Sequence, residues 1–146
     1  MDKLHDAIIT ACLTLGGGVL LLVITQIITR FIVEPLVEFR RLLGEIAYTL
    51  ILNAKWLCNP SSTGLRPEFQ EAKDECRKSA SRLHAFSAAV PLYGFLADLG
   101  VVPELTKVYE AARQLIELSN IDSKTPVRDV DQQYKKISEL LRIRVD

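Results

Sequence analysis

The stretch 7-AIITACLTLGGGVLLLVITQIIT-29 decides the reading of this chain: 23 residues without one Asp, Glu, Lys or Arg. As a helix rising 1.5 Å per residue it is roughly 35 Å long, enough to cross a hydrocarbon core about 30 Å thick with some tilt. Its one amide is Gln26, and its threonines can bond their hydroxyls to the carbonyls of their own helix. A cleaved signal peptide is the competing reading. Against it, the apolar core is too long, the leading MDKLHD is hardly basic, and no small-residue cleavage site precedes a polar region. Residues 7–29 are therefore expected to be a transmembrane anchor, and residues 30–146 a separate body.

Composition agrees with two unlike regions. Of 146 residues, 49% are hydrophobic and 25% charged, and a mean hydropathy of +0.17 is high for a uniformly water-facing domain. This excludes a disordered, collagen-like or disulfide-rich chain. Basic and acidic residues number 18 each, which leaves no electrostatic footprint for nucleic acid. Setting aside Lys3, Asp2 and Asp6 leaves 17 basic and 16 acidic residues beyond the anchor, an ordinary balanced surface.

The flanks of the anchor set its expected orientation. Lys3 and the terminal amine lie on the amino side; Arg30, Arg40 and Arg41, then Lys55, follow on the carboxyl side. Lys and Arg near a span stay in the cytoplasm, so the body is expected there, with a few amino-terminal residues across a bacterial inner membrane. Arg30, Arg40 and Arg41 would meet anionic headgroups at about 1 kcal/mol each. Within the span, Ala7, Ala11, Thr14, Gly18, Thr25 and Thr29 fall on one stripe at 100° per residue, interrupted by Leu22. Small residues let helix backbones approach closely in lipid, so this stripe, with Gln26 as an inter-helix bond, is the expected self-association face.

The body has a helical period throughout. Leu36, Phe39, Leu43, Ile46, Leu50, Ala54 and Leu57 step by three and four after Pro35, which either starts this helix or kinks a continuous one. Val37, Leu42, Ile51, Leu52 and Trp56 fall off the stripe and form an extra apolar face. Asn59 to Gly64 reads as a loop. Pro67 opens a helix with Phe69, Ala72, Cys76, Leu83, Phe86 and Val90 inward, ended by Val90-Pro91. A short helix 92–99 stops at Gly100. Pro103 opens the next, with Leu105, Val108, Ala112, Leu115 and Ile116 inward. Thr125-Pro126 starts the last, striped by Val127, Val130, Tyr134, Ile137 and Leu141. No useful run alternates with period two. The expected fold is all-α, an anchor followed by a bundle of four longer helices and one short one.

Chemistry is sparse. Cys12, Cys58 and Cys76 form no CxxC, no disulfide is expected in a reducing compartment, and no ligand set for a metal or motif for a cofactor exists. The one arrangement with catalytic potential is Arg77 and His84, two turns apart on one helix, with Ser81 between them and Lys73 and Lys78 nearby. An Arg that holds phosphate and a His that moves protons are the minimum for RNA cleavage, and a second protomer would double the pair. A surface histidine on a solvated flank is the plainer reading of the same residues.

Glu34-Pro35-Leu36, Phe39-Arg40-Arg41, Gly44-Glu45-Ile46-Ala47, Leu83-x-Ala85, Val90-Pro91 and Leu118-Ser119-Asn120 together resemble small bacterial membrane proteins with one amino-terminal span and a cytoplasmic helical body. In layout the chain is also similar to the membrane accessory protein of Cas13b-type CRISPR systems. That resemblance implies a HEPN-like helical body, a ring-shaped oligomer, a membrane pore and a role in antiphage defence. The R-x6-H spacing of Arg77 and His84 resembles the HEPN signature, with Lys78 standing where that family has Asn or a small polar residue. The expected function is a non-enzymatic, self-associating single-pass membrane protein that forms or gates a pore. The alternatives are a tethered scaffold for a cytosolic protein partner and a HEPN-type RNase.

Overall fold

The computed structural model describes residues 2–59, 66–122 and 124–144, with side chains from His5 onward. Among the described residues there is no strand. The elements are α1 (Asp2–Ile28), a π-helical turn (Thr29–Val33), α2 (Glu34–Leu57), α3 (Pro67–Ala89), α4 (Tyr93–Asp98), α5 (Leu105–Ser119) and α6 (Val127–Leu141). Packing divides the chain into two compact units, 1–37 and 38–146. The expected loop 59–64 lies, apart from Asn59, outside the described residues.

In the first unit, α1 runs regularly through the uncharged stretch, and the backbone stays helical across the π turn into α2. The Glu34 N–H donates to the Thr29 carbonyl, five residues back. Pro35 explains the widened turn: it has no N–H to give, and in a regular α-helix its ring would collide with the carbonyl four residues earlier, that of Phe31. Pro35 thus sits at the second position of α2, directly after the π turn rather than after a loop.

The second unit has one apolar core. Phe39, Leu42, Ile46, Leu50 and Leu57 of α2 are buried with Phe69, Ala72, Cys76, Ala80 and Leu83 of α3. Val108, Leu115 and Leu118 of α5 and Val130, Tyr134, Ile137 and Leu141 of α6 complete it. Phe39 stacks on Phe86 at 5.6 Å and meets the edge of Tyr93 at 6.0 Å, joining α2 to α3 and α4. The Tyr134 hydroxyl donates to the Leu50 carbonyl at 3.2 Å, joining α6 to α2.

Several expected inward positions are displaced by one. Leu42, expected off the stripe, is buried, while Leu43 and Ala54 are half-buried and Asn53 takes the inward place. The reason is register: Leu42, Ile46, Leu50, Asn53 and Leu57 follow the same three-and-four step, displaced by one from Leu43 and Ala54. Leu105, Ile116 and Val127 are exposed, and Phe86 and Val90 are half-buried.

The helix ends show how the sequence stops each element. Pro67 is the first residue of α3, as expected, and Val90, extended before Pro91, caps its end. Leu92 then takes a left-handed conformation, φ 57°, to enter α4. Gly100, at φ +72°, ends α4; its N–H reaches the Ala97 carbonyl and that of Val101 the Leu96 carbonyl, a Schellman closure. Glu104 rather than Pro103 is the cap of α5, and Pro126 rather than Thr125 that of α6. The Thr125 hydroxyl is engaged with Asp122 instead, accepting its N–H at 3.0 Å and donating to its carboxylate at 3.1 Å.

Candidate functional site

In the first unit every residue from His5 to Phe31 is exposed. Twelve large apolar side chains of α1 stand free, from Ile8 (54%) through Leu15 (72%) to Ile28 (47%). Left in water, a helix of this kind would forgo on the order of 20 kcal/mol of transfer free energy, at ~1.5–3 kcal/mol per large apolar side chain. That exceeds the ~5–15 kcal/mol that holds a whole domain together. The threonines are internally satisfied: Thr10, Thr14 and Thr25 each donate at 2.8 Å to the carbonyl four residues before. Gln26 has no hydrogen-bond partner among the described residues. Ala7, Ala11, Thr14, Gly18 and Thr25 share the face the regular helix gives them, with no atom within 4 Å of where a Gly18 side chain would begin, and Thr29 opens the π turn. Thr25, Gln26, Thr29, Arg30 and Glu34 line a shallow hollow where the uncharged run gives way to charge.

Of the other two arginines, Arg40 is exposed, and Arg41 pairs with Glu45 one turn on at 3.2 Å. Glu45 also accepts from Arg82 of α3, and that hydrogen bond is the main reason its carboxyl is held below the usual range. Arg41 therefore belongs to an α2–α3 clamp while its side chain stays 81% exposed.

Arg77 and His84 both lie exposed on α3, and each is engaged with α5 separately. Arg77 Nη2 donates to Asn120 Oδ1 at 2.8 Å, at the end of α5. His84 stacks on Tyr109 with ring centroids 5.0 Å apart. Ser81, between them, turns its hydroxyl back to the Arg77 carbonyl at 3.0 Å. The two residues line different surface hollows that share only Ser81. Within one chain this geometry ties α3 to α5 and does not converge on a common point. Among the described residues no group of three His, Cys, Asp or Glu is placed to hold a metal ion.

Sequence reasoning missed the polar contacts of the body. Asn53, 8% exposed, donates to Glu75 of α3. Glu110 accepts from Arg113, Gln114 and, across to α6, from Lys136 at 2.8 Å; the Arg113 hydrogen bond foremost, then that of Lys136, brings its carboxyl down to about 2. Burial pushes the Cys76 thiol up to about 12 and raises that of Cys58, so neither is a poised nucleophile. Also missed was the outer edge of α4, where Leu92 (59%), Phe95 (55%) and Leu99 (59%) are all exposed. Its signal was present: residues 83–97 carry no Asp, Glu, Lys or Arg. Compared with family models, curated proteins and solved structures, the chain matches none.

Proposed function

We propose that this chain is a single-pass membrane protein that self-associates through its anchor, with residues 38–146 as a helical bundle on the cytoplasmic face of a bacterial inner membrane. The observation that carries the reading is α1: long enough to cross a bilayer, apolar on every side, and exposed from His5 to Ile28 among the described residues. A helix apolar all round that is not a core helix is stable only in lipid. Self-association is supported by the small-residue face and by the amide of Gln26, which in hydrocarbon gains a partner only from a neighbouring span. Arg30, at the end of the uncharged run, suits a headgroup contact, and the excess of Arg on that side supports the cytoplasmic body.

Pore formation in antiphage defence is what the resemblance to the Cas13b-associated membrane protein adds, and a scaffold that recruits a cytosolic partner is the version without conduction. The RNase reading is not favoured, because Arg77 and His84 are each occupied by a different residue of α5 or its end. The mass of the detergent-solubilised particle tests self-association: an oligomer is expected, and a monomer contradicts it. Dye release from vesicles carrying the protein separates pore from scaffold.

A further inference from the structure

We infer that the outward face of α2 within the second unit, from Arg40 to Lys55, docks an acidic amphipathic helix of a cytosolic protein. The inference gives the scaffold form of the proposed function its partner, and it rests on that form.

α2 turns a different kind of surface outward from that of α6. Beyond Val127, every exposed position of α6 is charged or a glutamine. From Arg40 onward, the exposed positions of α2 are Arg40, Arg41, Gly44, Tyr48, Ile51, Leu52 and Lys55. At 100° per residue they fall in an arc of about 120°, and none is acidic. Tyr48 is 66% exposed, and Ile51 and Leu52 are 52% exposed each. A tyrosine and two aliphatic residues stepping by three and four, with cations at either end, have the anatomy of an interface: an apolar centre and a charged rim. At 1.5 Å per residue the face is roughly 22 Å long, about four turns of a partner helix.

Gly44 favours a protein partner over lipid. It lies inside α2, where glycine weakens a helix relative to alanine. Its own chain makes no use of the space: beyond its neighbours and helix backbone, no atom lies within 4 Å of where its Cβ would begin. One turn from Arg40 and one turn from Tyr48, it leaves a notch that a side chain of a crossing helix can enter. Fluid acyl chains need no such notch.

Charge selects which helix. Glu45, at the flank of the face, is taken up by Arg41 and Arg82, and Glu38, the nearest exposed acid of α2, lies off the arc. Lys55 rests over the Trp56 ring at 4.5 Å. Neither Lys55 nor Arg40 has an acidic partner among the described residues. A second copy of the same face repels it in either direction. Packed parallel, Arg40 meets Arg40 and Lys55 meets Lys55; packed antiparallel about the midpoint, Arg40 meets Lys55. A helix with Glu or Asp at both ends of an apolar stripe satisfies both cations and covers Tyr48, Ile51 and Leu52.

The test uses the full chain in nanodiscs of neutral lipid and two synthetic peptide probes. Both are the same amphipathic helix, one with Glu and the other with Lys at both ends of its apolar stripe. Anisotropy of the labelled Glu probe should show saturable binding, and the Lys probe should bind about tenfold more weakly. Tyr48→Ser and Leu52→Ser, at exposed positions, should each weaken the Glu probe about tenfold, and so should Gly44→Leu, which fills the notch. Arg40→Glu together with Lys55→Glu should reverse the preference between the probes, a gain that a misfolded chain cannot give. Binding of neither probe, equal binding of both, or a preference unmoved by the charge reversal overturns the inference. With Tyr48 replaced by p-benzoylphenylalanine, photolysis in nanodiscs containing anionic lipid and the Glu probe should cross-link the probe. Adducts with lipid alone, or with a second copy alone, overturn the inference. A chain that enters nanodiscs but binds no probe fails this inference only. One that does not enter them fails the membrane reading and the inference with it.

Discussion

Tyr134 joins α6 to α2 through one buried hydrogen bond, to a carbonyl in the middle of a helix. Burial, first of all, raises its phenol well above the ordinary range, so the hydroxyl remains a donor at any working pH. Tyr134→Phe keeps the ring and leaves Leu50 its own helical bond, so a loss of about 1 kcal/mol is expected, read as a lower urea midpoint in mild detergent. Arg142 poses the opposite case. It ends α6 at φ 55°, a left-handed position where a side chain is strained. Arg142→Gly should raise the same midpoint by about 0.5–1 kcal/mol. Glu110 gives the body an acid sensitivity. Its carboxyl is lowered in the folded chain to about 2, against an unfolded value near 4.5, so its contribution is present above about pH 4.5 and lost as pH falls towards 2. Glu110→Gln should flatten that part of the stability profile by lowering stability at neutral pH while changing it little near pH 2.

The elements differ in how far they could be read beforehand. Where a stop signal is chemical, the residues announced it: Pro67, Val90-Pro91 and Gly100 end or begin helices where expected. The α6 stripe from Val130 to Leu141 was legible because a helix with one strongly apolar side admits one register. α2 was not, since Leu42 and Leu43 are both apolar, and only the position of α3 and α6 around it decides which turns inward. Asn53 was hidden for the same reason: an amide in an apolar register is accepted only because Glu75 stands opposite. For the candidate site, the sequence placed Arg77 and His84 on one exposed flank but held no sign of Asn120 or Tyr109, which come from α5 and its end. Under the proposed self-association, the residue of α1 to test first is Gln26, the one amide of the uncharged run. Gln26→Leu should weaken self-association by about 0.6–2 kcal/mol, measured by sedimentation in detergent, as for other polar contacts between spans. An unchanged mass distribution would move the interface away from this amide.

Across the whole molecule, two kinds of surface occur in one chain: an apolar helix without charge over 23 residues and a charge-balanced helical unit. This division was visible from composition alone, because a long uncharged run survives any detail of packing. On the proposed function, lipid would cover the first unit as an ordinary core covers the apolar faces of the second. Self-association and any conduction both presuppose that α1 lies within a bilayer. The most direct measurement is alkaline carbonate extraction of membranes from cells making the full chain, followed by high-speed sedimentation. The protein should remain in the pellet and move to the supernatant only with detergent; release by carbonate alone would contradict the account.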